Sequence, residues 1–285
     1  MPIDLSTALG AELPTTEFAW TASDVQTYHL ALGAGEHPLD EAELRYLDDR
    51  SPVVLPGFAT VAPSFHATEP PAVSFPGIEI DLAKVVHGSQ AVTVHRPIPA
   101  EGKARTTTRI AEVWDKGKAA VIVQEGVTTD LDGEPLWTTR SSIFARGEGG
   151  FGGERGPSES VAYPDRPADE TLRVRTLPQQ ALLYRMCGDR NPLHSSPEFA
   201  VAAGFPAPIL HGLCTYGIVQ RAIVDGLLSA DPTAVGGFSA RFAGVVFPGE
   251  TLEVSCWREE GRVLATAGVV EREAPALADV VLTLA

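Results

Sequence analysis

Two stretches of alternating apolar and polar residues, 92–130 and 240–271, are each broken by turn signals into a series of short β-rich runs. The runs LWTTRSSIFAR and ALADVVLTLA add a final strand to each series. Ahead of each series lies a short amphipathic segment that ends in glycine, Asp24–Gly33 in the first half and Pro178–Gly188 in the second. Both predict a helix stopped by its glycine, with Tyr28 and Tyr184 in comparable places. The chain therefore reads as a repeat of one helix-and-sheet unit.

Between the opening helix and the strands of the second half runs PAPILHGLCTYGIVQRAIVDGLLSA, long and apolar nearly all round, which predicts a helix buried against a sheet. Its counterpart, VLPGFATVAPSFHA, is short and carries Pro56 and Pro63. Proline removes a backbone donor and clashes with the preceding turn, so the first half should have a broken central helix and free space in its place. An antiparallel sheet curved around one apolar helix is the hotdog architecture, and two in tandem would share one continuous sheet. The expected fold is α+β, a double hotdog, with units at 1–150 and 151–285 divided in the glycine-rich stretch 147–160.

The length of 285 residues and 44% apolar content suit two modest domains with real cores. A formal charge of −15 would repel nucleic-acid phosphates and anionic lipid, so neither is expected as an extended partner. Three cysteines, Cys187, Cys214 and Cys256, cannot all pair and show no metal-ligand spacing, which suits a reducing cytoplasm. The first residues lack the basic start of a secretory signal. The longest apolar stretch, 208–228, is interrupted by His211, Gln220, Arg221 and Asp225, against a membrane span.

The densest chemistry lies in Gly188-Asp-Arg-Asn-Pro-Leu-His194. Gly188 and Pro192 make the segment irregular, so Asp189, Asn191 and His194 need not diverge as on a helix and could converge on one bound water. An unperturbed histidine such as His194 titrates near neutrality, Asp189 can orient or share the protons of water, and Asn191 suits positioning. Gly212 follows His211 at the start of the central helix, where free N–H groups and the dipole favour a developing oxyanion. Gly-Asp and Asn-Pro are also ordinary turn dipeptides, and on spacing alone the segment reads first as an Asx turn. His211 and Cys214 on the apolar helix read as packed core residues and receive no catalytic role. Lys116 reads by default as a hairpin lysine, Phe242 as a core aromatic, and His87 as a capping or buried histidine.

The run YRMCGDRNPLHSSPEFAVAAGFPAPILHGLCTYG, residues 184–217, resembles the motif of the R-specific enoyl-CoA hydratases of the MaoC-like family. LPGFATV, VVHGSQAVTVHRPIPAEGK, DKGK, GGFGGERG and ARFAGVVFPGETL extend the resemblance to the two-domain form found in the hydratase region of the peroxisomal multifunctional enzyme. That resemblance implies water chemistry at Asp189 and His194, a supporting Asn191, and a thioester carbonyl held by Gly212. It places His87, Gly88, Lys116 and Phe242 against the acyl-CoA, with Lys116 facing its phosphates, and adds Arg190, Pro192 and Leu193 to the substrate-binding set. The implied reaction joins trans-2-enoyl-CoA and water into (3R)-3-hydroxyacyl-CoA without metal or redox cofactor, CoA being part of the substrate. Ser196 departs from the acidic residue that the family often has after its motif histidine. A dehydratase acting on carrier-protein substrates, a hotdog thioesterase and a non-enzymatic acyl-CoA-binding protein are the competing readings. A homodimer is the expected assembly.

Overall fold

The computed structural model describes residues 3–70, 74–80, 85–158 and 160–285; Met1, Pro2 and, in the glycine-rich connector, Glu159 lie outside them. Ten strands form among these residues: β1 (Thr16–Trp20), β2 (Val85–Val94), β3 (Gly102–Asp115), β4 (Ala119–Asp130), β5 (Pro135–Arg146), β6 (Glu170–Arg175), β7 (Val235–Phe242), β8 (Thr251–Glu259), β9 (Arg262–Val269) and β10 (Ala274–Leu284). They join in one sheet, ordered β1-β3-β4-β5-β2-β7-β10-β9-β8-β6. The first five strands stand as 1-3-4-5-2 from one edge, and the second five repeat that order from the other edge. This is the double hotdog. The connector 147–158 lies between β5 and β6.

The halves meet at β2 and β7, antiparallel from Ser89 opposite Arg241 to Thr93 opposite Gly237. Turn chemistry sets the hairpins: Gly117 and Gly261, at φ +80° and +71°, close β3–β4 and β8–β9.

Six helices are present among the described residues: α1 (Leu5–Ala8), α2 (Ala22–Ala31), α3 (Glu41–Leu44), α4 (Gln180–Tyr184), α5 (Pro197–Ala202) and α6 (Gly212–Leu227). Thr21 and Asp24 form a capping box that starts α2. Helices α2 and α4 form where expected, but each follows a first strand, β1 or β6, instead of opening its half; Gly33 and Gly188 come after them in left-handed conformations, and the Tyr28 and Tyr184 rings pack 6.3 Å apart.

The all-round apolar segment becomes α6, with twelve of its sixteen residues buried, including Gln220 and Arg221. Tyr216 donates its hydroxyl proton to Phe238 O at 2.6 Å, tying α6 to β7. Gln220 Oε1 accepts from Gly57 N at 2.7 Å, and Arg221 lies 3.7 Å from Glu43 and 4.0 Å from Asp225. Gln220 and Arg221, buried polar groups on an apolar helix, thus find partners in the first half. None of the described helices is long and apolar enough to cross a membrane.

In the first half, two 3-10 turns, Pro56–Thr60 and Ala62–Ser64, stand where the long helix would run, so the prolines break it as expected. The space expected there is corrected by the structure. Trp20, Tyr28, Phe58, Phe65 and Trp137 fill it, with neighbouring ring centroids 5.7–6.3 Å apart. Aromatic rings bury large areas and supply the core that a shortened helix cannot.

Candidate active site

The site grows from a loop that regular structure abandons. α4 tightens into a 3-10 turn, Arg185–Cys187, which ends at Gly188 with φ +104°. A Cβ at Gly188 would lie 1.9 Å from Ser64 O, so only glycine lets the loop dock against the broken helix of the first half. Arg190 Nε donates to Ala67 O at 3.2 Å and secures the same contact.

Past Gly188 the loop holds itself. Asp189 Oδ1 accepts from Asn191 N at 3.1 Å, and Asn191 Oδ1 accepts from Leu193 N at 3.0 Å, capping the 3-10 turn Pro192–His194. The Asx-turn reading is therefore correct for the backbone. It leaves the second carboxylate oxygen of Asp189 and the amide nitrogen of Asn191 for a ligand. Pro192 and Leu193 are half-buried within the turn. Ser196 accepts from Phe199 N at 3.3 Å and caps α5, so the serine in place of an acid still serves as a helix cap.

His194 is buried, and its Nδ1 lies 2.9 Å from Ile209 O. A carbonyl oxygen only accepts, so the proton sits on Nδ1 and the Nε2 lone pair is free. Burial pushes the His194 pKa down, against the opposing pull of the Ile209 carbonyl and the Asp189 carboxylate. The imidazole is neutral at pH 7, suited to accepting a proton from water.

Gly212 is the first residue of α6, whose N-cap is His211 with no side-chain cap. The first N–H groups of a helix have no intrahelical partner, so they are offered to a ligand. A Cβ at Gly212 would stand 3.1 Å from two carbons of the Phe242 ring. Across the junction, β2 is bulged between His87 and Ser89, the kind of break that re-aims a side chain. The His87 ring lies 4.6 Å from that of Phe242, and Ser142 Oγ stands 2.7 Å from where a Gly88 Cβ would be. Burial holds the His87 pKa down to about 4, opposed in part by the Asp189 charge, and its Nε2 is buried without a hydrogen-bond partner. His87, Asp189, His194, Gly212 and Phe242 thus meet where the two halves join.

Lys116 stands apart from this cluster. Its Nζ donates to Pro157 O at 2.7 Å and lies 5.2 Å from the Trp114 ring centroid. Through Asp115, Ala120 and Ala145 its hairpin is level with Val85, at the His87 end of the sheet and three strands from β2, roughly 14 Å at the usual spacing.

The sequence reading set His211 aside, and the structure puts it among these groups. It is 1% exposed and stacks on His194 with centroids 3.7 Å apart and planes at 27°. Asp189, His194 and His211 each bring one donor atom within 4.8 Å of the others.

A double hotdog with an Asp–His loop beside a free helix start defines the class, and comparison with known proteins defines the family. The second half, residues 159–279, matches the MaoC like domain, and residues 18–147 match the MFE-2 hydratase 2 N-terminal domain. The chain belongs to the MaoC-like family in its two-domain, hydratase 2 form. It is 59% identical to the enoyl-CoA hydratase ChsH3 of Mycobacterium tuberculosis over 96% of each chain. It is 40% identical to the peroxisomal enoyl-CoA hydratase 2 of Arabidopsis thaliana, over 95% of this chain and 92% of that one. The solved MaoC-like dehydratase of Phytophthora capsici superposes with a TM-score of 0.89 at 29% identity, covering 99% of this chain and 98% of its own.

Proposed function

We propose that this protein reversibly adds water across the double bond of a trans-2-enoyl-CoA thioester, giving the (3R)-3-hydroxyacyl-CoA. The observation that carries the reading is the neutral His194 imidazole, its Nε2 free, beside the Asp189 carboxylate and the uncapped start of α6. In hydration, water held between Asp189 and His194 gives its oxygen to C3 and one proton to the acid–base pair. Electron density shifts through the C2 carbanion onto the thioester oxygen, where the Gly212 N–H donates. The pair then returns a proton to C2, so the product carries OH on C3 and H on C2, and dehydration retraces these steps.

The thioester itself acidifies C2, so these residues require no metal or redox partner, and CoA belongs to the substrate. Asn191 supports the loop and offers its amide to the bound water or hydroxyl. The first half contributes His87 and Gly88 to the acyl-CoA path, and the wall at Ser64 and Ala67, in place of acid–base groups. Arg190, Pro192, Leu193 and Phe242 line the same path, and Lys116 serves the distant phosphates of CoA. The two hydratase relatives, aligned over nearly the whole chain, support the same reaction.

The test is to mix the wild-type protein with crotonyl-CoA and a longer trans-2-enoyl-CoA, follow the enoyl absorbance, and resolve the product by chiral analysis. Loss of the enoyl band with (3R) product is expected. Release of free CoA thiol would favour a thioesterase, and activity confined to carrier-bound acyl chains would favour a carrier-specific dehydratase.

A further inference from the structure

His211 does two things at once that no packing residue needs to do. Its Nε2 lies 3.3 Å from the main-chain oxygen of Asp189, and its ring covers the face of His194 at 3.7 Å. Tyr184 also packs against the His211 ring, with centroids 5.0 Å apart and planes at 49°. The acceptor at Asp189 is a carbonyl, so Nε2 carries the proton and Nδ1 is left bare. That Nδ1 is buried and has no hydrogen-bond partner, an unfavourable arrangement that an apolar residue of similar volume would avoid.

We propose that His211 is a positioning residue for the water chemistry: a neutral imidazole whose Nε2–H fixes the Asp189 backbone while its stacked face fixes the plane of His194. The inference rests on the hydratase reading for its kinetics and on the structure alone for its tautomer. The loop's own hydrogen bonds are local, and beyond them the His194 ring is held through Nδ1 to Ile209 O, a single contact about which the ring can still turn, so these bonds alone do not set the distance between carboxylate and imidazole. His211, at the N-cap of α6, refers both to a rigid buried helix that also carries Gly212. Acid, base and oxyanion donor thereby share one reference frame, which a reaction sensitive to small misplacements requires.

The charged and titratable groups around this pair are Asp189 in the loop, His87 on β2, Tyr184 on α4 and Arg185 after it. Burial, assisted by the neighbouring imidazole, holds His211 down to about 2, so it is neutral around pH 7.

Two substitutions separate the two contacts. His211→Gln keeps an amide N–H near the Nε2 position and removes the ring; His211→Phe keeps the ring and removes the donor. Each should lower kcat by about 10- to 100-fold at nearly unchanged KM. His211→Gln, which also opens the His194 face to water, should move the acid limb of the pH profile upward, and His211→Phe should leave that limb in place. Histidine nitrogen NMR on the wild type tests the claim without any variant: His211 should show a neutral Nε2–H tautomer from pH 5.5 to 8. Variants that match wild-type kcat, or lose it only in step with folded protein, would overturn the proposal. So would a His211 that titrates in that range or carries its proton on Nδ1. An inactive wild type would instead contradict the hydratase reading and leave the tautomer result to decide this one.

Discussion

Gly188 approaches Ser64 so closely that a Cβ on the glycine would stand 1.9 Å from the serine carbonyl oxygen. This contact between the halves sets where the Asp189–His194 loop begins. Gly188→Ala faces both that clash with backbone and a φ of +104°. It should cost more than about 3 kcal/mol in urea unfolding or displace the loop, with kcat falling at least about 100-fold. Gly261→Ala is the control, since it shares a positive φ but meets nothing within 4 Å, and should cost only about 1 kcal/mol with full activity. Equal effects at the two sites would remove the steric argument.

Gly212→Ala tests the start of α6. The new methyl would press on the Phe242 ring at 3.1 Å, a side chain able to shift by a few tenths of an ångström. Stability should drop by less than about 1 kcal/mol, while kcat/KM falls about tenfold or more as the thioester loses close approach to the helix. Phe242→Leu in the same chain should restore part of the lost stability and leave kcat/KM low, read from a double-mutant cycle.

Acid should weaken the fold before its carboxylates are protonated. Burial holds His29 at about 3 and His211 at about 2 in the folded protein, against about 6.5 when unfolded. The unfolded chain then takes up protons that the native state refuses, so this stability is complete above about pH 6.5 and is lost as pH falls below it. Each group contributes a slope of about 1.4 kcal/mol per pH unit until its folded pKa is reached. Urea unfolding at pH 7 and pH 5 should differ by several kcal/mol, and a flat profile would contradict neutral burial of these rings.

Ser196 should prove a cap and nothing more. Ser196→Ala loses the bond to Phe199 N and should cost about 1 kcal/mol, with activity retained; Ser196→Asp should keep the stability. A large loss of kcat in Ser196→Ala at unchanged stability would place the residue in the chemistry.

Much of this organisation is written locally in the chain. Alternation and turn glycines define the hairpins, the all-round apolar run defines α6, and Pro56 and Pro63 break its counterpart because their effect acts within one helical turn. Gly188 and Pro192 likewise announce the irregular loop at Asp189. What the sequence does not reveal depends on pairing across the molecule. The meeting of His87 with Phe242 follows from the β2–β7 register, which no local pattern encodes. His211 looks like core because it is core, and only the three-dimensional return of the 188–194 loop makes it a neighbour of His194. The space expected beside the broken helix is filled by Trp20 and Trp137 from distant strands, which the proline signal alone cannot foresee.

The central claim is that Asp189 and His194 together perform the water chemistry, and the most direct measurement is single-turnover hydration of an enoyl-CoA by wild type, Asp189→Asn and His194→Gln. Circular dichroism and unfolding curves confirm that each protein is folded. The account predicts that both variants bind the thioester and stay folded while their hydration rate falls by about 10³-fold or more. Either variant retaining a rate within about tenfold of wild type would contradict it.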